Sequence, residues 1–152
     1  MSEIHSIDEA MSAAAQSAVD FAQNFDITLD YSESSIEKVD YIVGGLHDSL
    51  ERDRPPKKEV ERLYTMMGAY IGEVIKRRWG GKWGWESKLH PGQKLLTLTA
   101  AGIEMWPQAK VHKRLTEGPH ENVWWYFQTF KKQVENKGSP AVTAQRPWWK
   151  LW

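Results

Sequence analysis

The chain has 152 residues, with 20 Lys and Arg against 20 Asp and Glu, five histidines and no cysteine. It fits one domain that buries about two-thirds of its unfolded surface, and disulfides, thiolate nucleophiles and cysteine-based metal sites are excluded. The neutral total conceals a sorting by halves: residues 1–54 hold twelve acids against Lys38, Arg52 and Arg54, a net −9, and residues 55–152 carry the compensating +9. Either the halves neutralise each other inside one fold, or an acidic surface faces a basic partner.

Ser6 followed by Glu9 has capping-box spacing. Ile7, Met11, Ala14, Ala18, Phe21 and Phe25 then recur at helical intervals, which predicts a helix over about 7–24. Residues 26–32 form a link. Ser34 and Glu37 repeat the capping spacing, and Ile36, Val39, Val43, Leu46 and Leu50 mark a second helix, stopped at Arg54 by the Pro55-Pro56 pair. A third helix runs from about Pro56 to Arg78. Within it Gly68 and Gly72, four residues apart, cost about 1 kcal/mol of propensity each but leave one face bare for another element to approach.

Gly80-Gly81 ends the helical period. Residues 82–88, 94–100 and 103–106 are short β-type runs separated by turn signals, His90-Pro91-Gly92 and Ala101-Gly102, and predict an antiparallel meander. A short helix is expected after Pro107. Gly118-Pro119 closes it and opens another, with Val123, Phe127, Phe130 and Val134 inward to about residue 137. Residues 138–147 read as a Gly/Ser/Pro/Ala linker. Beyond it stands the cluster Trp148, Trp149, Lys150, Leu151 and Trp152.

The motif Ala69-Tyr70-Ile71-Gly72-Glu73, then Gly80-Gly81-Lys82-Trp83, then Pro107 with Lys110-Val111-His112-Lys113-Arg114-Leu115 and Gly118-Pro119, resembles an uncharacterised family of small bacterial proteins. The resemblance covers about residues 30–137. It implies a bacterial origin, a compact α+β domain and an association with immunity to secreted toxins; no catalytic residue comes with it.

Templates for catalysis are missing: there is no H-E-x-x-H, no phosphate-binding glycine loop, no G-x-S-x-G and no cysteine. The scattered His5, His47, His90, His112 and His120 read as surface or capping residues, so neither a metal site nor a cofactor is expected. Glu73, four residues before Arg77, is either an exposed helix pair or a buried carboxylate locked to Arg77 or to Lys113 and Arg114 in a structural network. Lys76-Arg77-Arg78 interleaved with Trp79, Trp83 and Trp85 has the composition of a nucleic-acid grip but is better explained as core and helix capping. Trp148, Trp149 and Trp152 are expected to anchor on an apolar groove of the chain's own domain or on a second copy, forming a homodimer.

The expectation is therefore an α+β fold, with antiparallel helices packed on a small antiparallel meander and a C-terminal helix. Residues 1–137 form the single domain and residues 138–152 the linker and tail. Its expected function is non-enzymatic: an immunity-type protein that occludes a bacterial toxin through Asp26, Asp30, Glu33, Glu37 and Asp40. That stretch carries five acids against Lys38, a local −4 that no adjacent segment cancels. The rival is a small enzyme or a nucleotide- or anion-binding domain built on Glu73, Arg77, Lys113 and Arg114. Nucleic acid is not an expected partner of so acidic a first third. No apolar run suits a signal peptide or a membrane span, so a cytoplasmic location is expected.

Overall fold

The computed structural model describes residues 6–136. The expectations for Trp148, Trp149 and Trp152, and for His5, lie outside the described residues.

The first helix, α1 (Ile7–Gln23), begins with the capping box its sequence announces: the Glu9 amide donates to Ser6 Oγ and the Ser6 amide to Glu9 Oε1, both at 3.0 Å. Its buried line is Met11, Ala15, Ala18 and Ala22. The stripe expected through Ala14 and Phe21 is thus rotated by about one position, because the smaller side chains face inward, and Phe25 is half exposed rather than core.

Helix α2 (Ser35–Asp53) starts differently from the expected capping box. Ser34 already has helical dihedrals and its side chain makes no cap bond. The work falls to Ser32, whose Oγ accepts from the Ser35 amide at 3.2 Å. The helix stops at Arg54, left-handed at φ 47°, immediately before the proline pair.

Helix α3 (Lys57–Trp79) is the axis of the molecule. Met67, Tyr70, Ile71 and Ile75 are fully buried in it, with α1 and α4 packed along its sides. The two glycines act as their spacing predicts. A Cβ on Gly68 would stand 2.6 Å from the Gln108 Cα of α4, and one on Gly72 would overlap the Trp83 indole. Strands β1 (Lys82–Glu86), β2 (Lys94–Ala100) and β3 (Ile103–Met105) form an antiparallel meander in that order, with Trp83 opposite Leu98 and Leu98 opposite Met105.

Helix α4 (Pro107–Glu117) opens on its proline. One helix was expected beyond Gly118, but there are two pieces: a single 3₁₀ turn at Pro119–Glu121, then α5 (Val123–Glu135). The break is Asn122, which is extended (φ −55°, ψ 125°) and caps α5 by accepting from the Trp125 amide at 2.7 Å. Tyr126, Phe127 and Phe130 of α5 complete one contiguous core shared by all five helices and the sheet. The fold is α+β. No described helix is long and apolar enough to cross a membrane.

Candidate functional site

The link between α1 and α2 is held in a fixed conformation. Asp26 and Tyr31 sit in the left-handed region, φ 59° and 65°. The Tyr31 amide donates to the buried Tyr70 hydroxyl at 2.7 Å, the Tyr70 hydroxyl shares a 2.6 Å hydrogen bond with Ser35, and the Arg77 guanidinium lies 3.6 Å over the Tyr31 ring. Asp30 accepts from both the hydroxyl and the amide of Ser32, which holds its carboxyl below the usual range.

The five acids of this stretch take different roles. Glu33 is paired with Lys131 at 2.9 Å and Arg78 at 3.3 Å, both from the basic half. Asp40 is inward: its carboxylate accepts from Arg114 Nε at 3.0 Å, the Asn122 side chain at 3.0 Å and the Val123 amide at 2.9 Å. Distant segments therefore cancel part of the local −4, because chain reversal brings α4 and α5 against α2. Asp26 and Glu37 remain exposed, and among the described residues no ion pair engages them.

Those two acids border a groove of about 930 Å³ between the link, α2 and the α4–α5 turn. Phe25, 52 % exposed, and Tyr41, 75 % exposed, stand at it with Leu46 and Trp124, and Asp48 adds a third acid that has no ion pair among the described residues. Arg114 contributes to the groove from a side chain only 8 % exposed, and its Nη1 has no hydrogen-bond partner among the described residues. Tyr41, Asp48 and Phe25 were not singled out as site residues in the sequence. The available signal was Tyr41, an aromatic residue off the apolar stripe of α2.

The expected network of Glu73, Arg77, Lys113 and Arg114 divides into separate contacts. Glu73, 13 % exposed, does lose most of its solvent, but it accepts from the Trp83 indole at 3.0 Å and pairs with Lys76 at 3.5 Å. One turn of helix turns Arg77 toward the link instead, and Arg114 faces α2 and Asp40. Lys113 is half-buried beside the Lys110–Glu121 pair. Glu73, Arg77 and Arg114 thus each engage a different neighbour.

The three consecutive cations are likewise engaged by protein: Lys76 with Asp8 at 2.9 Å, Arg77 with Tyr31 and Arg78 with Glu33. Trp83 is buried and Trp79 packs edge-on against Phe130, as core residues. Trp85 is the exception, half exposed with Lys94 over its ring.

His47 Nδ1 lies 2.6 Å from the Leu115 carbonyl, the His112 ring packs at a tilt against Tyr64, and His90 meets Trp106 edge-on. His120, with Glu117 and Glu121, makes the one group of three potential metal ligands among the described residues. Glu121 is already bound by Lys110 at 2.7 Å. Burial raises the Glu121 carboxyl, and the bond and charge of Lys110 more than reverse this.

Comparison with protein families, with curated proteins and with solved structures finds no match to this chain. The roles assigned to its residues rest on the geometry above.

Proposed function

We propose that this protein is a non-enzymatic binding module of the immunity type, which occludes a basic bacterial toxin or effector through the face built by the α1–α2 link and α2. The observation that carries the reading is three acids, Asp26, Glu37 and Asp48, which have no ion pair among the described residues and surround the exposed Phe25 and Tyr41. Acids that stabilise the fold have partners within it; among the described residues these have no ion pair. Complementary charge raises the rate of encounter and selects partners, while aromatic side chains at the centre of a patch supply the burial that holds them. The fixed link lowers the ordering cost of binding. Of the contact set expected from sequence, Asp26, Asp30 and Glu37 are retained, and Asp48, Phe25 and Tyr41 join them; Glu33 and Asp40 serve the fold.

The test is kinetic. The product of the adjacent reading frame is expressed, and its association is followed for the native chain and for Asp26→Lys, Glu37→Lys and Asp48→Lys combined. The triple reversal should slow association at least tenfold, and raising salt from low to physiological should slow the native pair in the same direction. An association rate indifferent to both changes would remove this face from contention.

A further inference from the structure

The run Glu117-Gly118-Pro119-His120-Glu121 closes α4 and forms the 3₁₀ turn. Gly118, at φ 111°, takes a backbone conformation that favours glycine, Pro119 fixes the next residue, and the Glu121 amide donates to the Gly118 carbonyl at 3.0 Å. This reversal brings together side chains from either side of the glycine. His120 Nε2 lies 3.8 Å from Glu117 Oε1 and 3.7 Å from Glu121 Oε2, and one potential ligand atom of each residue lies within 4.8 Å of the other two. We propose that Glu117, His120 and Glu121 form a binding site for a divalent transition-metal ion of the zinc type, with one imidazole nitrogen and two carboxylate oxygens as ligands.

The separations suit a shared cation. They exceed the roughly 2.7–3.2 Å of a hydrogen bond, whereas ligands held about 2.0–2.2 Å from one ion in tetrahedral geometry stand about 3.3–3.6 Å apart. His120 and Glu117, 64 % and 53 % exposed, are free to close a difference of that size by small rotations. The third ligand is held in position from behind. Lys110 Nζ, on a side chain 3 % exposed, bonds Glu121 Oε1 at 2.7 Å, which leaves Oε2 turned toward His120; a bond to the remote atom of a ligand orients it in this way at metal sites. The bond and charge of Lys110 also favour the ionised form of Glu121, the form that ligates. The imidazole sets the class of ion, since Mg²⁺ and Ca²⁺ prefer shells made of oxygen alone. On the solvent side the exposed His120 and Glu117 leave room for water to complete the coordination. None of the three residues is one of the groove acids Asp26, Glu37 and Asp48, so the site does not rest on the binding surface proposed above.

The test uses the full chain, freed of metal by a chelator, with Zn²⁺ as the probe. Histidine ring resonances are followed during the titration, and calorimetry gives stoichiometry and affinity. Saturation at one ion per chain is expected, with the His120 ring shifting first and Mg²⁺ at the same concentration leaving it unmoved. His120→Ala and Glu117→Gln, both at exposed positions, should each weaken Zn²⁺ binding at least tenfold, with the remaining amide spectrum unchanged as proof of folding. Absence of saturable binding, or first shifts at a different histidine, would overturn the proposal. So would affinity retained in His120→Ala, or an equal response to Mg²⁺, because the ion would then be held by acidic charge alone. The toxin-binding test above involves no metal, and each of these failures leaves it unaffected.

Discussion

Asp40 accepts three hydrogen bonds from α4, the α4–α5 turn and the first amide of α5, and its removal would strand the Arg114 guanidinium, whose Nη1 already has no described partner. Breaking a buried pair from one side costs about 3–5 kcal/mol. Asp40→Ala should therefore lower the denaturant midpoint by that equivalent, whereas reversing the exposed Glu37 should change stability by less than about 0.5 kcal/mol. If the two substitutions destabilised equally, the division of this acidic stretch into structural and exposed members would be wrong. Glu104 offers a pH test. Burial raises its carboxyl, but bonds from the Ser87 hydroxyl and the Lys88 and Leu89 amides outweigh this and bring it below the usual value of 4.5. A folded-state pKa below the unfolded one contributes stability that is present above pH 4.5 and is lost as pH falls through the lower folded value. In Glu104→Gln that part of the acid destabilisation should disappear, measured as a smaller fall in Tm between pH 5 and pH 3.

Contact between α3 and α4 depends on Gly68, where the approaching atom is the backbone Cα of Gln108, which cannot rotate away. Gly68→Ala gains about 1 kcal/mol of helix propensity, yet separating the two helices costs more. Overpacking of this kind is worth about 1–3 kcal/mol, so a net loss of stability is expected, and a thermal melt that rises would refute the close approach. The elements themselves were largely legible in the sequence. Capping residues, the proline pair and glycine breaks are local signals, and they placed α1, α2, α3 and the three strands within a few residues. The 3₁₀ turn was not legible, because the extended Asn122 that ends it is bonded to Asp40, 82 residues earlier, a contact that local spacing does not reveal. The same limit applied to the site. Spacing along one helix suggested Glu73 with Arg77, but the choice between Arg77, Lys76 and Trp83 is made by which neighbours the helix meets in three dimensions.

At the scale of the molecule, the sorting of charge by halves is in part neutralised within the fold. Among the described residues four ion pairs join the acidic half to the basic one: Asp8–Lys76, Glu33–Arg78, Glu33–Lys131 and Asp40–Arg114. The first three are partly exposed and worth up to about 1 kcal/mol each. Raising sodium chloride from low concentration to 1 M should lower Tm by a few degrees at about 2–4 °C per kcal/mol, and a Tm indifferent to salt would mean that these pairs contribute nothing. Among the described residues the three acids at the groove have no such partners, and they give that face its acidic character.

The joining of the halves also sets a timetable. A ribosome completes the acidic half first, and α1 has no surface to dock on until α3 has emerged. Asp40 waits for Arg114, 74 residues later, which at 5–20 residues per second is about 4–15 s. The first 54 residues emerge with a net charge of −9, whose self-repulsion opposes premature collapse, and the cations of the following segment then offset it step by step. The twelve acids of the first half thus keep the unfinished chain open until the basic half arrives to close it.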